Sequence, residues 1–442
     1  MKFEDSKLEP LAWRDVEGWA QDDHAEAFVA FLKSCRALIA SDRASRDTRP
    51  MREALVSVCR RARAMVPLDE PRARAFFEDN FRAVRIAKLA DEQGFLTGYY
   101  EPIVEGSRVP TGEFTVPVYR RPGDLIVQGK RRKAGTGDFF PNKGKVYRKL
   151  GKRRIVPYHD RAAIEDGALD GRGLEICWLK DPVDLFFIQI QGSARIRLED
   201  GAVLRINYDA HNGHPYTAIG RILIERKEVP KEEMSMQRIR EWIAAHPEEG
   251  KALRRMNKSY VFFRITDLSE FDEAVGAQGI PLTAARSLAV DRGLHVYGTP
   301  FFLQADLPIA SEKSATRFRR LLIAQDTGSA IIGPARGDIY FGAGDEAARA
   351  SGRIRHNGRF VMLVPRDVDP VEFGAQMPLP QPDPRKSGSA KATPAEATAA
   401  APAPTDAATA TPQPAARPQA APKPPRKGKS RREASGLAPH RP

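Results

Sequence analysis

Residues 321–344 read LLIAQDTGSAIIGPARGDIYFGAG, and two aspartates in them, Asp326 and Asp338, each close an apolar, strand-like run and open a glycine-containing turn. Asp338 stands in Gly-Asp-Ile-Tyr-Phe-Gly, among residues that favour sheet and close backbone approach. A carboxyl held among apolar and aromatic neighbours has a raised pKa, because burial penalises its charged form. Such a group can act as a general acid near neutral pH. Aspartate beside glycine is also a common turn former that bonds its own backbone. The rest of the chain decides between the two readings.

Outward from this stretch, short apolar runs alternate with turn residues. Phe114–Tyr119, Phe186–Ile190, Ala194–Leu198 and Ala202–Tyr208 read as strands, the last two joined by Glu199-Asp200-Gly201, a hairpin signal. Val261–Ile265, Pro300–Ala305, Arg320–Gln325, Ile339–Phe341 and Phe360–Leu363 continue the pattern, with helices expected over Thr217–Arg226 and Met236–Ala245. This spacing fits closed or nearly closed β-barrels. Toward the N-terminus the period becomes helical: Phe28, Phe31, Leu32, Cys35, Leu38 and Ile39 recur on one face, and Ala54–Val66 and Arg72–Leu89 follow. The expected class is therefore mainly β with N-terminal helices.

Six strings stand in one order. They are Thr97-Gly-Tyr-Tyr-Glu-Pro102, Asp181-Pro-Val-Asp-Leu-Phe-Phe-Ile-Gln-Ile-Gln-Gly-Ser193, Asn212-Gly-His-Pro-Tyr216, Asn257-Lys-Ser-Tyr-Val-Phe-Phe263, Leu282-Thr-Ala-Ala-Arg-Ser-Leu-Ala-Val-Asp291 and the run Ala324–Gly342. Together they resemble the lytic murein transglycosylase A family, whose C-terminal part is a "3D" domain named for three aspartates. Those aspartates fall here on Asp291, Asp326 and Asp338, and the family's general acid/base falls on Asp338. The loop Thr327–Gly337 is one residue longer than in the family's form.

The resemblance implies a double-psi β-barrel domain carrying an inserted second β-domain, with a groove between them that holds a glycan. The boundaries that follow are a leader at 1–22, helices and the first part of the barrel at 23–102, the insert at 103–256, the catalytic 3D barrel at 257–372 and a tail at 373–442. It also implies the activity: cleavage of the β-1,4 bond between N-acetylmuramic acid and N-acetylglucosamine, with attack by the muramoyl C6 hydroxyl on its own C1. Because that nucleophile is intramolecular, a single carboxyl can serve as acid and then as base. Asp338 takes that role. Asp326 either orients the acid or substrate or caps a turn, and Asp291 before Arg292-Gly293 reads chiefly as a turn residue. Both carboxylates could raise the pKa of Asp338 by like charge. Tyr99, Tyr100, Gln189, Gln191, Gly192 and Ser193, on turns and strand ends, are the candidate sugar-binding groups; the tyrosines equally suit core packing with one bonded hydroxyl.

Composition limits the alternatives. The net charge of +14 suggests nucleic acid, but from Ala375 onward 11 Lys/Arg face 4 Asp/Glu, so half of the excess lies in a Pro/Ala-rich tail expected to be disordered. No RNA-binding aromatic signature or zinc-finger spacing is present, and the remaining charge suits an anionic wall polymer. His211 and His214 lack a nearby third ligand, so no metal and no cofactor are expected. Cys35 and Cys59, on neighbouring helices, either bridge in an oxidising compartment or pack as free thiols. The N-terminus MKFEDSKLEPLAW is polar where a secretory signal has a basic start and apolar core, and no lipobox-like cysteine follows. The family acts in the cell envelope, in the periplasm or at the outer membrane. A removed signal, a misplaced start codon or another export route would each account for the difference.

The expected protein is thus a monomer acting on peptidoglycan glycan strands, with proteins of wall synthesis or remodelling as further candidate partners and no nucleic acid. Two other functions stay open: a two-carboxylate hydrolase of the same polymer, with Glu101 or Asp326 as partner, and a non-catalytic peptidoglycan-binding protein.

Overall fold

The computed structural model describes residues 2–3, 6–40, 49–65, 69–88, 91–128, 145–150, 154–269 and 271–368. The expected disordered tail at 373–442 lies outside the described residues.

Helix α1 (His24–Ala40) buries Ala27, Phe28, Phe31, Cys35 and Leu38 on one face, as their spacing requires. Helix α2 (Arg49–Ala64) sets Leu55, Val58 and Cys59 against the same core. A Cys35–Cys59 disulfide joins the two helices across 24 residues of chain. It settles the choice that the sequence leaves open. Replacing both cysteines by serine is expected to cost about 3 kcal/mol, from the loop entropy restored to the unfolded chain. Urea unfolding of the two forms measures it, and equal midpoints would show the link to be idle.

Helix α3 (Glu70–Asn80) starts where Asp69 accepts the Arg72 N–H at 3.0 Å, with Pro71 in its first turn. It is shorter than the helix expected over Arg72–Leu89. Phe81–Lys88 is instead a strand, with Phe81, Ala83, Val84 and Ile86 buried. This segment pairs with Ser6–Leu11 on one side and Arg355–Pro365 on the other, and two ladders of hydrogen bonds outweigh its helical propensity. Ser6–Leu11, inside the segment expected to be a leader, is thereby built into the sheet, and Trp19 is buried.

Six strands of this sheet close on themselves. In order they are Arg355–Pro365, Pro300–Leu307, Thr316–Asp326, Ser287–Ala289, Arg336–Ala343 and Gly94–Glu101, and the last pairs back with the first. The short Ser287–Ala289 strand runs parallel to one neighbour and antiparallel to the other. Leu96, Leu288, Phe301, Leu303, Leu321, Ile323, Ile339 and Phe360 belong to the large core cluster of this half.

A second six-stranded sheet lies between Ile103 and Ile265, in the order Val261–Ile265, Val203–His211, Ser193–Leu198, Ile103–Ser107, Glu175–Leu179, Val116–Tyr119. An Arg120–Phe263 bridge brings its two edges together. Three further strands, Leu125–Gln128, Lys145–Leu150 and Arg154–Pro157, form a separate small sheet.

The stretch Phe186–Ile190, expected as a strand, belongs to a helix, Pro182–Gln191. Asp181 accepts the Val183 N–H at 2.7 Å, Pro182 opens the first turn, and Gly192 (φ 88°) ends the helix in the left-handed region. These start and stop signals override an apolar run that is buried on every side, Leu185 through Gln189.

Candidate active site

The register of the closed barrel brings the acids together. Ala289 pairs with Asp326 on one side and Asp338 on the other, and Asp338 in turn pairs with Thr97 in the parallel strand Gly94–Glu101. The Thr97 hydroxyl donates to Asp338 Oδ1 at 2.6 Å. That hydroxyl accepts from Arg336 Nη2 at 2.8 Å, which directs its own proton at the carboxyl. Burial pushes the Asp338 carboxyl above its ordinary pKa, while the Arg336 charge and the Thr97 hydrogen bond pull the other way. The residue as a whole is half-buried.

Asp326 ends its strand with both carboxyl oxygens held. Oδ1 accepts the backbone N–H groups of Ala277 and Thr327, each at 2.8 Å, and Oδ2 accepts the Tyr99 hydroxyl at 2.8 Å. Desolvation raises this carboxyl to about 6, with the charge of Asp338 adding to the rise, and the three donors restrain it. The Tyr99 phenol is held far above its usual range, first by burial and then by Asp326. Its ring lies 5.3 Å from that of Tyr340, the residue two beyond Asp338.

Asp291 does different work. Its Oδ1 accepts from Gly293 N at 2.8 Å and its Oδ2 from Gly333 N at 2.9 Å, so it ties the turn after Ala289 to the loop between the two acids. His295 assists by bonding the Pro334 carbonyl through Nε2 at 2.9 Å.

The expected sugar-binding residues are dispersed. Tyr99 is at the acids. Tyr100, on the opposite face of the same strand, donates its N–H to Gln191 Oε1 at 3.0 Å and is buried. Gln189 and Gln191 sit on the Pro182–Gln191 helix and Gly192 caps it, not on turns and strand ends as expected. Gln189 turns inward and donates to the Val261 carbonyl at 3.2 Å. Ser193 is buried at the start of the next strand, opposite Asn207. His211 and His214 each commit a ring nitrogen to backbone, to Gly213 N and to the Tyr158 carbonyl, both at 2.9 Å.

Several contacts around the acids escape sequence reasoning. Thr97 and Arg336 complete Asp338 yet belong to strands 239 residues apart in sequence. Glu101, almost wholly buried, accepts from Arg195 Nε at 2.7 Å and Arg205 Nη2 at 3.0 Å. Arg195 reaches on to Glu273 at 3.6 Å, and Glu273 accepts the Tyr340 hydroxyl at 2.7 Å. This ionic knot fastens the end of the barrel strand to the second sheet. Only a parallel pairing of distant segments creates it, and no local motif encodes that.

The arrangement offers a protonatable carboxyl, a second carboxyl held by three donors, and the rings of Tyr99 and Tyr340 beside them. It contains the groups for acid/base chemistry.

Two families match the chain: the MltA specific insert domain over residues 95–264 and the 3D domain over residues 286–364. Membrane-bound lytic murein transglycosylase A of Escherichia coli K12 is 34% identical over 270 residues, 60% of this chain; the chain spans 64% of the length of that curated relative. Among solved structures, a membrane-bound lytic murein transglycosylase from Agrobacterium tumefaciens is 37% identical with a TM-score of 0.71, covering 81% of this chain and 98% of its own. The structure of E. coli MltA with bound chitohexaose is 29% identical with a TM-score of 0.56, covering 76% of this chain and 90% of its own.

Proposed function

Because the chain belongs to the lytic murein transglycosylase A family, we propose that it cleaves the β-1,4 bond between N-acetylmuramic acid and N-acetylglucosamine in peptidoglycan, leaving 1,6-anhydromuramic acid. The observation that carries this reading is the Asp338 carboxyl: raised in pKa by burial and held by a Thr97 hydroxyl whose proton Arg336 directs.

Protonated Asp338 gives its proton to the glycosidic oxygen as the bond from that oxygen to muramoyl C1 breaks. The muramoyl C6 oxygen bonds to C1, and its proton passes to the Asp338 carboxylate. The acid is restored and no water is consumed. Oxocarbenium character develops at C1 between these events, and Asp326, ionised above about pH 6, supplies negative charge nearby. Asp291 holds the loop that joins the two acids. Of the expected sugar-binding residues, Tyr99 stands at the acids and faces the glycan in this reading, while Tyr100, Gln189, Gln191, Gly192 and Ser193 support that wall from behind. A relative solved with chitohexaose supports a glycan strand as ligand.

The same reading treats the closed six-stranded barrel, 257–372 together with the strand before residue 102, as a double-psi barrel, and 103–256 as the domain inserted into it, with the glycan in a groove between them. It places the protein in the cell envelope, on the periplasmic or outer-membrane face, acting as a monomer. Among the described residues no helix is long and apolar enough to cross a membrane.

One observation favours a second reading. A carboxyl titrating near 6 beside Asp338 could activate water, making the protein a two-carboxylate hydrolase with Asp326 as partner. The products separate the two, since hydrolysis leaves hydrated reducing ends.

The pH dependence follows from the same groups. As pH falls through about 6, Asp326 takes up a proton and its charge is lost. Turnover is expected to fall along that limb. Asp326→Asn is expected to flatten the limb and lower the plateau by roughly 10²-fold, the effect of removing one oriented charge. Rates on soluble glycan strands between about pH 4 and 8 test it; an unchanged acid limb in the variant would remove Asp326 from the reaction.

A further inference from the structure

We propose, resting on the reading above, that helix α1 is a positioning element for the acid pair: buried Ser34 and Gln325 and half-buried Gln278 form a clasp that sets the Ala277 amide on Asp326. Gln325 immediately precedes Asp326, and because strand residues alternate it points away from the acids and into the helix. It is fully buried and its amide is fully used. Oε1 accepts the Ser287 hydroxyl, while Nε2 donates to the Ala30 carbonyl at 2.8 Å and to Ser34 Oγ at 2.9 Å. Ser34 passes its own proton to Gln278 Oε1 at 2.8 Å, and Gln278 Nε2 returns a bond to the Ser34 carbonyl at 3.4 Å.

Gln278 is the neighbour of Ala277, whose N–H lies on Asp326 Oδ1. The Gln278 N–H also bonds the Gln325 carbonyl at 3.1 Å, and a Cβ on Gly276 would stand 2.6 Å from that same oxygen. The 276–278 segment is therefore pressed flush on the strand, and the clasp decides where the Ala277 amide sits. Lys33 adds a second grip from α1, donating to the Leu282 carbonyl at 3.1 Å and Thr283 Oγ1 at 2.8 Å. Cys35, next to Ser34, ties α1 to α2.

A pair of well-packed apolar side chains could fill this space at little cost in stability, whereas a polar network must be satisfied throughout. What the network adds is geometry: it admits one placement of the 276–278 segment. Ser34, Gln325 and Gln278 touch no substrate in this arrangement and act only through Asp326.

Ser34→Ala and Gln278→Leu, made separately in the full chain, test the clasp by two readouts. The first is turnover across pH. The second is titration of Asp326 by carbon-13 NMR of aspartate-labelled protein, with the signal assigned through Asp326→Asn. Loss of the Ala277 N–H removes a donor that favours the carboxylate, so the Asp326 titration and the acid limb of kcat are both expected to rise by about half to one pH unit. The plateau kcat is expected to drop about fivefold with KM unchanged. An unmoved titration and limb in both variants, even with a lower melting temperature, would reduce the network to packing and overturn the proposal. If wild-type protein releases no product, the function proposed above fails by itself. The NMR titration then still decides the clasp, a shift supporting it and no shift refuting it.

Discussion

Asp338→Asn is expected to stop release of anhydromuramoyl products from purified peptidoglycan, with kcat falling by roughly 10³-fold, as for loss of a positioned general acid. The substitution keeps the shape of the site, because the Asn carbonyl can still accept the Thr97 hydroxyl. What disappears is the transferable proton. Mass spectrometry reads the outcome directly: anhydro ends lie about 18 Da, one water, below hydrated ends, the mark of an internal nucleophile. Hydrated ends from the wild-type protein would support the two-carboxylate hydrolase, and no release at all would support a binding protein.

A stability measurement guards this result against a trivial cause. The folded Asp338 carboxyl has a raised pKa, so its stabilising share is full below the unfolded pKa and is lost as pH rises through the folded one. The Asn variant lacks that loss. It is therefore expected to melt higher than wild type at neutral pH, with the gap closing in acid. An inactive variant that is more stable cannot owe its inactivity to unfolding.

How much of this is legible in the chain depends on how local each feature is. Asp326 stands out because it ends an apolar strand at a glycine-containing turn, and Asp338 because it stands in the string Gly-Asp-Ile-Tyr-Phe-Gly, which lies inside a strand and does not close one; both patterns are contained within a few residues. Helix α1 is legible because its apolar spacing repeats over several turns. Phe81–Lys88 misleads, since Phe-Arg-Ala-Val-Arg-Ile-Ala-Lys offers apolar residues at both helical and strand spacing, and only its two partner strands decide. The Pro182–Gln191 helix misleads for the opposite reason: burial on every side erases any period, leaving only Asp181, Pro182 and Gly192 as signals. Thr97, Arg336 and the clasp of Ser34, Gln278 and Gln325 are illegible by nature. They exist only once distant segments are brought into register, and a threonine or glutamine carries no mark of it beforehand.

Glu101→Ala is expected to destabilise the protein by about 3–5 kcal/mol, the cost of leaving a buried charge without its partner. Arg205 is as buried as Glu101 itself, and both Glu101 oxygens accept from it, at 3.0 and 3.1 Å. With Glu101 gone, Arg205 retains only carbonyl acceptors such as Asp272, while Arg195 keeps the longer contact to Glu273. Urea unfolding reports the loss, and Glu101→Gln, which keeps one acceptor, is expected to fall between. The same variant separates two roles for this carboxylate. If Glu101 were the second carboxylate of a hydrolase, its removal would abolish turnover with the chemistry of any remaining product altered. As the knot between the barrel strand and the second sheet, its removal instead lowers the unfolding midpoint, while anhydro ends are still produced well below that midpoint. Two arginines already hold both oxygens of Glu101, which is almost wholly buried, so it is placed to anchor the two sheets and not to activate a water. The structural role is therefore the one its geometry permits.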